Sequence, residues 1–126
     1  MIVVPRAFAL TLCERIDVDA AQVLYSLIGV FNFRSHPSYP TPPQRFAVHT
    51  VLFDGLGQGT LELKVLDANT NNPVYRFQKW WASTVRLQMV HLEIPVTQCV
   101  FPAPGRYLFE LLLDGNFITD RYLELS

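Results

Sequence analysis

The chain has 126 residues, half of them apolar, and its ten basic and eleven acidic residues give a formal net charge of −1. At about 150 residues per domain, this length predicts one domain over residues 1–126, and a chain of this size forms a core without metal or disulfide support. The apolar content excludes a disordered chain, and the balanced charge excludes the concentrated positive surface that nucleic acid requires.

The start of the chain, from Met1 to Cys13, does not match a secretory leader, because no Lys or Arg precedes its apolar residues and Pro5 and Arg6 interrupt them. No apolar run approaches the roughly 18 residues of a membrane-spanning helix. Cys13 and Cys99 lack metal-binding spacing and are expected to be buried, reduced thiols rather than a disulfide. We therefore expect a cytoplasmic protein with no membrane partner.

Apolar residues recur at every second position, as in Leu61, Leu63 and Val65, which is typical of half-buried strands. A single short helical turn is predicted between Asp17 and Leu24. The predicted strands are, in chain order, Phe8–Arg15, Tyr25–Arg34, Phe46–Phe53, Leu61–Val65, Val74–Trp81, Val85–Ile94, Arg106–Leu113 and Phe117–Leu125. Their spacing predicts an antiparallel, all-β sandwich or barrel.

The connections between these strands contain turn-forming residues. Asp114-Gly115 lies between two alternating runs and predicts a tight hairpin between the last two strands. The polar run Asp67–Pro73 joins another strand pair, and the proline-rich segment His36–Pro43 is expected to lie outside the sheets. The glycine-rich run Asp54–Gly59 lacks the spacing of a phosphate-binding loop, so a flexible hairpin connection is expected there.

One resemblance supports this fold. The stretch Phe101–Glu110, followed by Asp114-Gly115, is similar to the last hairpin of immunoglobulin-like sandwiches. Together with Phe8–Glu14 and Ser26–Phe31, it makes the chain resemble a family of small bacterial proteins of unknown function. The resemblance implies an antiparallel immunoglobulin-like β-sandwich of about 7–8 strands and assigns no catalytic residue. It leaves open whether Tyr107 makes the backbone hydrogen bond of a tyrosine corner.

The residues that carry catalysis or metal chemistry do not form a recognisable set. Ser26 has no glycines in the spacing of a nucleophile elbow. His49 and His91 lie on different predicted strands, and a zinc site formed by them with Cys13 or Cys99 is less favoured than two ordinary strand histidines. We therefore expect a protein that is not an enzyme, with no catalytic residue, no metal and no cofactor.

The aromatic residues give the strongest indication of a binding surface. Adjacent residues of a strand point to opposite faces, so only one of Trp80 and Trp81 can be buried by a single sheet face. The alternation places Trp80 and Arg76 on the outward face, where a tryptophan beside an arginine is typical of a binding anchor. Packing of Trp80 under a loop such as His36–Pro43 is the alternative.

The last hairpin adds apolar residues to this surface. Leu108 and Leu112 lie on the strand face opposite the predicted core residues, and the partner strand adds Ile118 and Tyr122. A contiguous apolar strip of this kind indicates a protein interface. The predicted function is therefore a non-catalytic protein-interaction or assembly module, with a protein partner or a homodimer.

The alternative prediction is a module that binds a carbohydrate or another small ligand. It requires Trp80 and Tyr39 to form a stacking surface with polar groups nearby.

Overall fold

A computed structural model of the chain describes residues 2–21 and 24–126. The described residues form ten strands and no helix. The strands are β1 (Arg6–Ala7), β2 (Thr11–Asp19), β3 (Leu24–Val30), β4 (Phe33–Arg34), β5 (Gln44–Phe53), β6 (Gly57–Asp67), β7 (Pro73–Ser83), β8 (Val90–Cys99), β9 (Gly105–Leu113) and β10 (Asn116–Leu125). The all-β prediction is thus confirmed for this part of the chain.

The strands form two sheets of five strands each. The first sheet has the order β1-β5-β2-β3, and β8 pairs with the other side of β5. The second sheet has the order β4-β10-β9-β6-β7. All pairs are antiparallel except β4 with β10, which is parallel.

One hydrophobic core lies between the two sheets. Along β6, Leu61, Leu63 and Val65 are fully buried, as the alternation predicts. The ring of Phe46 from the first sheet contacts that of Phe109 from the second, with their centroids 5.9 Å apart. These residues belong to a single buried cluster, so the described residues pack as two layers around one core.

The strand count exceeds the predicted seven or eight, because short pairings cannot be recognised from alternation. The predicted strand Tyr25–Arg34 is divided into β3 and the two-residue β4. The predicted strand Val85–Ile94 is wrong in its first half, since residues 84–89 form an exposed loop and β8 begins only at Val90. Alternating apolar residues in that loop have no neighbouring strand to pair with, so their pattern does not produce a strand.

Two predicted connections differ from the structure. The helical turn is wrong at both its ends: Asp17 lies in β2 and Leu24 begins β3, while residues 22–23 lie outside the described part of the chain. The glycine-rich run Asp54–Gly59 is not a hairpin, because β5 and β6 belong to different sheets. The run crosses from one layer to the other, so β5 and β6 pair with other strands and not with each other.

The predicted hairpin at Asp114-Gly115 is confirmed. β9 and β10 pair antiparallel on either side of it, and both turn residues have positive φ, 47° at Asp114 and 82° at Gly115. This is the backbone conformation that a two-residue type I′ turn requires. An Asp114 carboxylate oxygen also accepts a hydrogen bond from the Thr60 amide at 2.9 Å, which ties the turn to β6.

Candidate functional site

The side of the second sheet that faces away from the core carries five of the six predicted binding residues. These are Arg76 and Trp80 in β7, Leu108 and Leu112 in β9, and Tyr122 in β10. Cross-strand partners point to the same side of a sheet, and the register places these residues in rows across four strands. We call this surface the outer face; its members are Thr60, Glu62, Lys64, Leu66, Arg76, Gln78, Trp80, Leu108, Glu110, Leu112, Phe117, Asp120 and Tyr122.

The two adjacent tryptophans of β7 lie on opposite sides of the sheet. Trp81 is 7% exposed and belongs to the core, whereas Trp80 is 61% exposed. Gly55, from the connection between the sheets, is so close to the Trp81 ring that a Cβ built on it would lie 2.7 Å from a ring carbon. Trp81 is therefore held by its surroundings, and Trp80 is the one available to a partner.

An apolar row crosses three strands of the outer face. Leu66 of β6 is paired with Leu108 of β9, which is paired with Tyr122 of β10. The Arg106 guanidinium lies over the Tyr122 ring, 5.2 Å from its centroid, and is ion-paired with Glu124 at 2.7 Å. The tyrosine ring is thereby oriented at the edge of the row while 49% of the residue stays exposed.

Leu112 lies in a second apolar region of the outer face. It is paired with the exposed Phe117 of β10 on one side and with Glu62 of β6 on the other. Between this region and the Leu108 row lies a charged row in which Glu110 is paired with Lys64 and Lys64 with Arg76. The predicted strip is therefore two apolar regions separated by charges rather than one continuous apolar surface.

A carboxylate beside the charged row is shielded from solvent. Glu62 is 9% exposed. It accepts a hydrogen bond from the Arg76 side chain, and its other oxygen lies 3.9 Å from the Lys64 ammonium. Arg76, which was predicted as a binding residue, thus has a structural partner that holds it in place on the outer face.

Ile118 is not part of the outer face, and this corrects the sequence prediction. A register shift between Phe117 and Thr119 interrupts the alternation of β10 at that point. Ile118 is partly buried and packs against the core instead. A bulge of this kind changes the side on which the following residues lie. Beyond it, Tyr122 is paired with Leu108 and lies on the outer face, as predicted.

A groove of about 530 Å³ lies at the β6–β7 side of the outer face. It is lined by Glu62, Lys64, Leu66, Asn71, Pro73, Tyr75 and Arg76. Trp80 is not among these residues. Tyr39 bonds the Ser126 carbonyl beyond the end of β10, so β9 and β6 separate it from β7. The stacking surface predicted from Trp80 and Tyr39 therefore does not form.

The two strand histidines meet on the first sheet. Nε2 of His49 in β5 lies 2.9 Å from Nδ1 of His91 in β8, and the Tyr25 ring is stacked on His91 with centroids 3.7 Å apart. Burial, and secondarily the charge of His91, lowers the pKa of His49, while Glu93 acts in the opposite direction. The sequence raised this pairing but gave no sign of Tyr25, which reaches His91 from a strand two positions beyond β5.

The cysteines take no part in this cluster as metal ligands. Both are free and fully buried, and burial raises the pKa of Cys99 to about 12. A thiol held in its protonated form is a poor nucleophile and a poor ligand. Within residues 2–21 and 24–126, no group of three or more His, Cys, Asp or Glu side chains is arranged to hold a metal ion.

In the described residues there is no helix of the length and apolar content needed to cross a membrane. A family model described as a family of unknown function (DUF6941) matches residues 9–126. No curated protein matches the chain.

Proposed function

The chain belongs to DUF6941, a family of unknown function, and we propose that this member is a non-catalytic protein-interaction or assembly module. The observation that carries the proposal is the outer face, where Leu108, Leu112 and Tyr122 are all accessible on one side of a sheet. A partner that covers them gains about 1.5–3 kcal/mol for each large apolar side chain that becomes fully buried.

The charged row gives this surface its specificity. Lys64 and Arg76 lie between the two apolar regions, and Glu110 follows next to them in β9. Interfaces commonly combine an apolar centre with arginine and aromatic residues. The ion pair with the shielded carboxylate of Glu62 holds the Arg76 guanidinium on this face.

A comparison of two aspartate variants tests the proposal. Leu112→Asp places a charge in the outer face, and the control Val30→Asp places one at a side chain of β3 that is 58% exposed on the other sheet. Sedimentation velocity of purified protein detects a homodimer, and affinity capture from native lysate detects another partner. We expect Leu112→Asp to abolish the association and Val30→Asp to preserve it. The proposal is wrong if both variants associate as the unmodified chain does, or if that chain neither self-associates nor retains a protein.

A second candidate function is the binding of a carbohydrate or another small ligand. The groove of about 530 Å³ supports it, because Leu66 and Pro73 offer apolar surface and Glu62, Lys64 and Asn71 offer polar groups. Calorimetric titration with a glycan panel tests this candidate. We expect a bound glycan to lose affinity in Lys64→Ala and to keep it in Tyr122→Ala, since Lys64 lines the groove and Tyr122 lies outside it.

The immunoglobulin-like type of sandwich is part of the proposal. Supporting it, the Tyr107 hydroxyl near the start of β9 donates a hydrogen bond to the Ala103 carbonyl at 2.6 Å. A tyrosine that bonds back to the backbone a few residues upstream is the tyrosine corner of such sandwiches. In this type of fold, binding surfaces are formed by loops and by outward sheet faces on a rigid scaffold.

A further inference from the structure

We propose that the free edge of β7 binds an extended, acidic segment of a partner protein by strand addition. The inference rests on the proposed function as a protein-interaction module and names the partner's chemistry. In strand addition, the incoming chain pairs with the unpaired backbone groups of an edge strand, and side-chain contacts on both sides select its sequence.

β7 is the most regular free edge among the described strands. It contains 11 residues and pairs with β6 on one side only. After Pro73 it contains no proline and no residue with positive φ. A long, regular strand of this kind presents a row of backbone donors and acceptors that another chain can use.

The other edges are poorly suited to pairing. β1 and β4 have two residues each. β4 covers only the end of β10, and the rest of the β10 edge is interrupted by the register shift between Phe117 and Thr119. β8 contains Pro95, which has no amide hydrogen, and Gln98, whose φ is 61°. β3 is interrupted by Gly29 at φ 70°. Shortness, proline and local distortion are the usual protections of an edge strand. In β7 the proline and the one register shift lie at its first residues, Pro73 to Tyr75, and its pairing with β6 is unbroken from Tyr75 to Ser83.

The charge of the β7 region indicates an acidic partner. No Asp or Glu occurs from Ala68 to Leu92, although the chain has eleven acidic residues elsewhere. The same segment contains Arg76, Lys79 and Arg86. Arg76 is ion-paired with Glu62, but its guanidinium has five donor hydrogens and has donors left for a second carboxylate.

A second copy of β7 is a poor occupant of this edge. Antiparallel pairing of β7 with itself gives Arg76 and Lys79 no carboxylate to contact, because β7 contains no Asp or Glu. Lys79 also lies on the core-facing side of the strand, opposite Leu61, and yet is exposed. An inward-pointing charge on an edge strand disfavours pairing between identical copies, whereas a carboxylate opposite it removes the repulsion.

The positions of Arg76 and Lys79 in β7 specify where acidic residues must lie in the partner's sequence. Arg76 and Lys79 are three residues apart, so they point to opposite sides of the extended sheet. A partner strand in register has two acidic residues with the same three-residue spacing. In the antiparallel orientation, the residue immediately before the first acidic residue lies opposite Trp80, which is 61% exposed and suits an apolar side chain.

Two pools of short, capped peptides test the inference. One pool has glutamates three positions apart, the other has lysines at the same positions, and the remaining positions are random uncharged residues. Each pool is passed over the immobilised full chain, over Lys79→Glu and over Arg45→Glu. Arg45 is an exposed residue of β5, on the other sheet, so its substitution gives the same change in net charge away from β7.

We expect the full chain to retain the glutamate pool about tenfold over the lysine pool, the equivalent of one good charge-assisted contact. Lys79→Glu is expected to lose this preference and Arg45→Glu to keep it. Hydrogen exchange with a selected glutamate peptide is expected to show new protection of β7 amides, and circular dichroism checks that both variants are folded.

Equal retention of the two pools, no retention of either, or protection that lies outside β7 each overturns the inference. The proposed function fails separately, because it depends on Leu112 of the outer face. A chain that loses its partner in Leu112→Asp but shows no preference for glutamate peptides remains an interaction module without the proposed strand addition.

Discussion

His49 and His91 share a hydrogen bond between ring nitrogens 2.9 Å apart, and such a bond requires at least one ring to be neutral. His49 is buried, and His91 is covered on one side by the stacked ring of Tyr25. Tyr25 belongs to β3, which is separated from β8 by β2 and β5. The stacking of Tyr25 on His91 and the hydrogen bond of His91 to His49 therefore connect β3 to β5 in the first sheet.

Acidification is expected to weaken the fold through this pair. Burial and the nearby His91 hold the pKa of His49 below its ordinary value of 6.5, so the neutral ring is favoured in the folded state. The contribution of the neutral His49 ring to the free energy of unfolding is fully present above pH 6.5. It declines as the pH falls through the lowered pKa of His49. Urea denaturation between pH 8 and pH 5 measures this decline.

The control for this prediction is His49→Gln, which keeps a polar side chain but does not titrate. Its free energy of unfolding is expected to fall less over the same pH range than that of the unmodified chain. Parallel declines in the two proteins contradict the assignment to His49.

Removing the Tyr107 hydroxyl is expected to cost stability. The hydroxyl donates to the Ala103 carbonyl at 2.6 Å and accepts from the Ala103 amide at 3.3 Å, and Tyr107 is 1% exposed. Tyr107→Phe is expected to lower the free energy of unfolding by about 1–3 kcal/mol, because the Ala103 groups lose a partner in a buried setting.

Denaturant unfolding of Tyr107→Phe beside Tyr122→Phe checks this prediction. Tyr122 is 49% exposed, so its variant is expected to unfold within about 0.5 kcal/mol of the unmodified chain. Equal effects in the two variants are inconsistent with a structural role for the Tyr107 hydroxyl.

The two tryptophans are expected to differ in their contribution to stability. Trp81 lies in the core and Trp80 is largely exposed. Trp81→Ala is expected to destabilise the fold by about 3–5 kcal/mol, the usual cost of truncating a buried aromatic residue, and Trp80→Ala by less than about 1 kcal/mol. Thermal unfolding measures both effects, and acrylamide quenching of Trp81→Ala is expected to exceed that of Trp80→Ala.

Alanine substitutions at Gly115 and at Gly55 are expected to destabilise the fold for different reasons. At Gly115 a Cβ meets nothing within 4 Å, but φ is 82°, so Gly115→Ala costs only backbone strain of about 1–2 kcal/mol. At Gly55 a Cβ would lie 2.7 Å from the Trp81 ring and 2.8 Å from Pro5. Gly55→Ala therefore requires the core to shift.

Fluorescence separates the two glycine variants. The emission of Trp81 is expected to change in Gly55→Ala and to stay unchanged in Gly115→Ala, because only the first substitution touches the ring. A change in both spectra, or in neither, contradicts this account. Urea unfolding gives the accompanying loss of stability in each variant.

Alternation in the sequence was enough to predict the buried side of the regular strands. Alternation placed Leu61, Leu63 and Val65 inward, separated Trp80 from Trp81, and put Leu108 and Leu112 on the exposed side. These are local properties, since the pleat of a strand sends neighbouring side chains to opposite faces whatever the strand pairs with. The turn at Asp114-Gly115 is local for the same reason, because its backbone angles favour particular residues.

The pairing of strands and the long-range contacts between residues could not be predicted from alternation. The crossing of residues 54–59 between sheets, the inward shift of Ile118 at the bulge and the contact of Tyr25 with His91 depend on partners far away in the chain. Alternation is the same for every pairing that buries the same face. The choice among these pairings is made by packing and backbone hydrogen bonding over the whole molecule, and it leaves β7 as the open edge of the second sheet.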